Sequence, residues 1–387
     1  MQNLSPSIRH LRDLIAIPSV NPMGRDDLPP EIVGEHAVAE HLSRALGKLG
    51  LDAALVGEGG RTSVVAEARA TNAMDTLLVA SHIDTVPVDG MEIDPFDPAI
   101  EGDRVLGRGS CDTKAGMAAL LEALSRVLEN GRLARNVIIV GEADEELSSI
   151  GVHDVLKHLG SRRPDWVLAT EPTELRLINA HKGVVHTQVC AHGRACHSSD
   201  PTQGQNAIVL LAKAILSIDE SARVFTDRPH PELGPATLSV GIVHGGQAPN
   251  IVPDEARIWV DRRTLPDETP AIVQEQIEAA IRRAGVEAHV VVESCSEEKP
   301  PLHTDASSIA VRATADALAR EGLSGDCGQV AFGTDAGVFG RVGIPGVVLG
   351  PGSIDVAHTS REFVPIDQVE TMVRIFERVL EGAGGPR

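Results

Sequence analysis

Short, almost purely apolar runs alternate with amphipathic stretches along this chain. TLLVAS at 76–81, NVIIVGE at 136–142, WVLAT at 166–170 and GVVLG at 346–350 have the length of strands, and strands apolar on both sides belong in a sheet covered on both faces. Between them, GMAALLEALSRVLENG at 116–131 repeats apolar residues at helical spacing and stops at Gly131, the residue type that most readily ends a helix. The pattern predicts an α/β layered domain. From His181 to Glu293 the rhythm changes to strand (VVHTQVCAHG), helix (NAIVLLAKAILSIDE), two strands (TLSVGIVHGG, EARIWVDRRT), helix (AIVQEQIEAAIRRAG) and strand (EAHVVVE). That order is the split βαβ pattern of a ferredoxin-like unit. The turn-rich EEKPPLHTD at 297–305 then returns the chain to helix and to GVVLG, so the second unit is expected to be inserted into the first.

Composition narrows the functional classes. With 387 residues and 42% apolar content, the chain is long enough for two cores. Its 35 Lys and Arg against 55 Asp and Glu give a net charge of -20, which repels a phosphate backbone and speaks against nucleic acid as a partner. Five cysteines, Cys111, Cys190, Cys196, Cys295 and Cys327, are scattered without CxxC spacing, so neither a disulfide framework nor a zinc finger is expected. Charged residues interrupt the N-terminal stretch and no run approaches about 18 apolar residues. The expectation is a cytoplasmic protein without signal peptide or membrane span.

Open α/β sheets place their sites beyond the carboxyl ends of the strands. After TLLVAS come His82 and Asp84; after NVIIVGE come Asp144, Glu145 and Glu146; after WVLAT comes Glu171; and beyond GVVLG, past GPGSIDVA, comes His358. Asp112 joins them from the glycine-rich GRGSCDTKAG, directly before the 116–131 helix. Two His among several carboxylates suit Zn2+, and oxygen-rich shells also admit Co2+ or Mn2+. A bridging carboxylate would let the set hold two ions. Amide hydrolysis needs a nucleophile at neutral pH, a general base, and positive charge where the carbonyl oxygen becomes anionic. Paired ions about 3.5–4 Å apart provide the first and third. Glu145 and Glu146 are adjacent, and in an extended segment neighbours point to opposite sides. One could then hold metal while the other faces substrate, and the residues alone leave open which does which.

SHIDTVP, GRGSCDTKAG, EADEE, ATEPT and the late GPGSIDVAHTSREFV resemble, in order and spacing, the M20 metallopeptidase and deacylase family of the acetylornithine deacetylase and succinyl-diaminopimelate desuccinylase type. GRACHSSDPTQGQNAI, HGGQAPNIVPDEA and DRRTLP resemble that family's small-domain signatures, so the similarity covers nearly the whole chain. Any one of these motifs is weak, whereas eight in order are specific. The resemblance implies a catalytic mixed-sheet domain with helices on both faces, residues 1–180 and 294–387, and an inserted ferredoxin-like α+β lid and dimerisation domain, residues 181–293. It implies that His82 and Glu171 bind one ion, Glu146 and His358 the other, and that Asp112 bridges. Glu145 is then the general base, and Asp84 hydrogen-bonds His82 and sets its tautomer. The peptide bond from Asp112 to Thr113 is expected to be cis. His197 would polarise the substrate carbonyl from the other subunit of a homodimer, and Arg263 or Asn250 would hold the substrate carboxylate. The implied activity is release of an acyl group from the nitrogen of an N-acyl amino acid. Dipeptidase or aminopeptidase action on the same site, and a non-catalytic metal-binding homologue, are the alternatives.

Two departures stand out: Thr113 where Met is common, and EADEE for TPDEE. Both lie beside the implied ligands and bear more on substrate preference than on metal. Cys111 is a soft ligand in isolation, and the resemblance makes it a small packing residue. His181, His186 and His192 are expected to be structural. Arg262 and Arg263 admit a surface salt-bridge role on an outward strand face, and the DEE run admits a solvated acidic loop. Gly107-x-Gly109 lacks the third glycine of a dinucleotide loop, and GxSxG, HExxH and P-loop motifs are absent.

Overall fold

The computed structural model describes residues 4–58 and 60–382. The ends of the expected catalytic segment, residues 1–3 and 383–387, and residue 59 lie outside them. By their contacts the residues divide into two compact units, one running to Asn179 and including His303–Gly328 and the chain from Thr334, the other Ala180–Leu302 with Gln329–Gly333.

A nine-stranded mixed sheet organises the first unit. Four neighbouring strands at its centre are parallel, in the order Asn136–Glu142, Thr76–His82, Trp166–Ala169 and Gly346–Val348. Antiparallel strands Ser63–Ala68 and Ile178–His181 flank them. The central strands are apolar on both sides because both sides are covered. Leu77 and Val79 join the cluster made with helices Pro6–Ile15, Lys114–Glu129 and Ile366–Glu381. Leu78 and Ala80, equally buried, point to the opposite face. The chain leaves Thr76–His82, returns on one side of it as Asn136–Glu142, then crosses to the other side as Trp166–Ala169. This reversal of direction opens a crevice at the carboxyl ends of these strands.

Helix Lys114–Glu129 carries most of its residues fully buried, so it reads as apolar nearly all round. It ends as its sequence predicts: Gly131 sits at φ 62°, and the Arg132 amide reaches back to the Val127 carbonyl at 3.0 Å.

The second unit has the ferredoxin-like order. Strands Thr237–Gly245, Glu255–Thr264, Gly183–His192 and Val290–Lys299 pair antiparallel in that sequence. Helices Ala207–Ala222 and Pro270–Arg283 cover one face through Leu211, Ile218, Val273 and Ile277. Asn206 and Thr269 cap these helices, their side chains accepting from the amides of Val209 and Ile272. The division of the chain falls beyond Glu293 because the last strand keeps pairing with Gly183–His192 as far as Lys299.

Gly116, in the first turn of helix Lys114–Glu129, has no room for a side chain: a Cβ would lie 2.5 Å from Cβ and Oγ1 of Thr170, at the end of strand Trp166–Ala169. Ala is the better helix former by about 1 kcal/mol, yet overpacking of this kind costs about 1–3 kcal/mol. Gly116→Ala is therefore expected to lower stability, measured as a fall in the urea midpoint at unchanged slope. A raised midpoint would mean that helix and strand separate freely.

Candidate metal centre

The crevice collects side chains from each central strand. His82 is the last residue of Thr76–His82, Glu145 and Glu146 follow Asn136–Glu142, Glu171 follows Trp166–Ala169, and His358 lies beyond Gly346–Val348. Asp112 stands two residues before helix Lys114–Glu129, and its peptide bond to Thr113 is cis.

Asp112 lies between two imidazoles. His82 Nε2 is 2.9 Å from Asp112 Oδ1, and His358 Nε2 is 3.0 Å from Asp112 Oδ2. His358 Nε2 is also 3.2 Å from Glu146 Oε1. One donor atom each from His82, Asp112 and Glu146 falls within a mutual 4.8 Å. Buried Glu171 adds its negative charge to the field on His82.

The protonation pattern shows what this cluster attracts. Burial works to lower His82, but hydrogen bonds with Asp112 and Asp84 outweigh it and hold the imidazole well above its ordinary value. Burial likewise opposes charge on His358, and Asp112 and Glu146 nevertheless push it up to about 11. Asp112, although buried, is held below its ordinary value by His358 and His82. Burial and the Asp112 charge raise Glu146. In the ion-free protein, protons on the two imidazoles neutralise buried carboxylates, the part that divalent ions would take.

The Glu145–Glu146 pair lies in a turn and not in the extended segment its sequence suggested. Asp144 adopts φ 62°, and both following amides then bond one carboxylate, Glu145 N to Asp84 Oδ1 and Glu146 N to Asp84 Oδ2, each at 3.1 Å. Alternation along a strand therefore does not separate the two side chains. The same Asp84 has its carbonyl oxygen 3.1 Å and Oδ1 3.3 Å from His82 Nδ1. This leaves His82 Nε2 facing Asp112.

Behind these groups stand residues that the sequence did not point to. Asn21 Nδ2 donates to Asp84 Oδ2 and Asp144 Oδ1, both at 2.9 Å. Arg61 donates to Asn21 Oδ1 at 2.9 Å and to Glu35 Oε1 at 2.6 Å. Glu362 Oε1 accepts from the amides of Cys111 and Asp112 at 2.9 and 3.1 Å, and its Oε2 pairs with Arg108 at 2.6 Å. Arg108 lies in GRGSCDTKAG and Glu362 in HTSREFV, and the pair could have been found by asking why an acidic residue sits so close to His358.

The remaining candidates belong to the second unit. His197 is exposed in the two-residue strand Cys196–His197, with Nδ1 2.8 Å from Ser199 Oγ. Asn250 is exposed, and its carbonyl accepts from the Ser198 amide. Arg263 is half-buried and bonds Asp261 at 2.9 Å. Arg262 is fully buried, packed on the Phe225 ring and ion-paired with Glu268, which corrects the expectation of a surface position. A cation inside an apolar unit needs such a partner. His181 is buried, and burial pushes it down to about 4.

Comparison with known proteins agrees with this architecture. A peptidase M20 domain-containing protein of Schizosaccharomyces pombe is 31% identical over 79% of this chain and 68% of its own length. An acetylornithine deacetylase of Myxococcus xanthus is 29% identical over 80% of this chain and 81% of its own. Among solved structures, an M20 family metallo-carboxypeptidase of Sulfolobus solfataricus superposes with a TM-score of 0.80 at 22% identity, covering 98% of this chain and 99% of that one. The match to the family itself runs over residues 78–382, most of the chain. The chain belongs to peptidase family M20/M25/M40 and is an M20 hydrolase.

Proposed function

We propose that this hydrolase removes the acyl group from an N-acyl amino acid, using Glu145 as general base and a pair of divalent ions, Zn2+ or else Co2+ or Mn2+. The observation that carries the proposal is the Asp112 carboxylate with one imidazole on each oxygen. A chain that held only protons there would desolvate paired charges for little net stability. His82 and Glu171 would hold one ion and Glu146 and His358 the other, with Asp112 shared between them. Bound there, the ions would supply Lewis acidity, which makes water nucleophilic near neutral pH and stabilises an oxyanion.

The chain's own residues do the rest. Glu145 takes the proton of the attacking water and returns it to the leaving nitrogen. Asp84 keeps His82 in one tautomer and, through two amides, sets where Glu145 stands. Arg263 and Asn250 hold the substrate carboxylate. The inserted unit serves as lid and dimerisation domain, and the partner subunit's His197 donates to the carbonyl oxygen as it gains charge, a contribution of about 2.7–4 kcal/mol in comparable sites. These last roles rest on the motif resemblance. The similarity to acetylornithine deacetylases such as that of Myxococcus xanthus supports an acylated amino acid as the substrate. The family supports either, so substrate class is settled by assay.

N-acetyl, N-succinyl and N-formyl amino acids are expected to be hydrolysed faster than dipeptides with a free amino end, assayed with Zn2+, Co2+ and Mn2+. Preference for dipeptides would replace the deacylase assignment with a peptidase one. Glu145→Gln is expected to keep its metal and lose about 10²–10⁴ in turnover. Mixing Glu145→Gln with His197→Ala under subunit exchange should restore part of the activity, and demonstrated exchange without recovery would remove the cross-subunit role. Ion binding must displace the proton held on His358, whose pKa of about 11 keeps it charged at neutral pH. Affinity for Zn2+ is therefore expected to rise with pH, and calorimetry in buffers of different ionisation enthalpy should show at least one proton released. Zero release at pH 7 would contradict the assigned ligands.

A further inference from the structure

The second unit carries a cluster that the proposed hydrolysis does not use. On strand Gly183–His192, Val185, Val189 and Ala191 face the two helices, so Cys190 and His192 share the opposite face. Strand Val290–Lys299 pairs Val291 with Cys190 and Val292 with Val189, then skips to Ser294 opposite Gln188. Glu293 is the extra residue of that bulge, and bulges re-aim side chains. Here the carboxylate comes to the thiol: one donor atom each from Cys190, His192 and Glu293 lies within a mutual 4.8 Å. Cys190 is completely buried beneath its neighbours, whereas His192 and Glu293 are exposed. His192 also lines a cleft with Asp254, Glu255 and Arg257.

We propose that this face binds one thiophilic divalent ion, of the Zn2+ class, through Cys190 Sγ, a ring nitrogen of His192 and a carboxylate oxygen of Glu293. Sulfur, imidazole and carboxylate together form the mixed donor set that zinc accepts and that Mg2+ or Ca2+ does not. Donors around a tetrahedral zinc stand about 3.3–3.6 Å apart, and the two exposed side chains have the torsional freedom to close to that spacing. Charge agrees. Arg257, opposite Cys190 across the strands, is ion-paired with Glu255, which leaves Glu293 as net negative charge beside the thiol. Binding replaces the thiol proton: Cys190–SH and the divalent ion give the thiolate complex and one proton to solvent. Thiolate and carboxylate then balance the ion's two charges. The fourth position stays open to water.

Cobalt separates this site from the candidate catalytic centre, whose assigned ligands contain no sulfur. Metal-depleted full-length protein titrated with Co2+ is expected to develop a near-ultraviolet sulfur-to-cobalt charge-transfer band. Cys190→Ser should abolish it and Cys111→Ser should leave it. His192→Ala and Glu293→Gln, at exposed positions that folding tolerates, should each weaken the Co2+ affinity read from that band by about tenfold or more. Absence of the band in the unsubstituted protein, its survival in Cys190→Ser, or indifference to both His192→Ala and Glu293→Gln overturns the proposal. Because the band reports sulfur alone, these outcomes do not depend on which amide the enzyme cleaves.

Discussion

A carboxylate with no access to water must find its donors inside the protein, and Asp84 finds them in every direction that matters to the centre. It is completely buried, receives the amides of Glu145 and Glu146 and the side chain of Asn21, and stands against His82. One charge therefore fixes a ring, a turn and the chain entering from the N-terminal side. Removing it would leave one buried and one part-buried amide without their acceptor, a penalty of about 1–3 kcal/mol for the buried one, and would free the turn that presents both glutamates. Asn21, Arg61 and Glu35 carry the same network outward to a partly exposed guanidinium, which shows how far from the crevice the electrostatic support extends.

The strand ends were legible because the apolar runs are pure. A short run without polar positions, bounded by turn signals, reads as a central strand, and a His or carboxylate past its end has a crevice to enter; His82, Glu145, Glu146 and Glu171 stand at such ends, and His358 farther along beyond Gly346–Val348. Asp112 was legible from its place before a helix. The supporting network was not, since Asn21 reaches Asp84 across 63 residues and Arg61 reaches Glu35 across 26. No periodicity links such positions, and each residue alone resembles an ordinary surface group. The glutamate turn was misjudged for a related reason: a left-handed Asp144 is a local decision forced by Asp84, some 60 residues away in sequence.

The smaller unit shows a different blind spot. His192 looked structural and Cys190 offered no CxxC spacing, while Glu293 comes beside them from a strand about a hundred residues later, at a register slip. Parity along a strand can be read from sequence. A bulge in the neighbouring strand cannot, because the extra residue is apparent only once the two are paired. Arg262 belongs to the same class, an arginine whose burial follows from Glu268 and Phe225.

The carboxylate of Glu362 holds the amides of Cys111 and Asp112 across 251 and 250 residues, and His358 meets Glu146 across 212. Seen from the ribosome, which delivers the chain from the N-terminus, the cluster is assembled from widely separated arrivals. His82, Asp112 and the two glutamates emerge early, whereas the second imidazole follows Glu146 by 212 residues and the clasp follows Asp112 by 250. Translation thus acts as a timer: until His358 and Glu362 emerge, a nascent chain displays His82, Asp112 and Glu146 without the imidazole and the clasp that complete the cluster. A truncation that spares every early motif would still leave the Asp112 loop without its clasp.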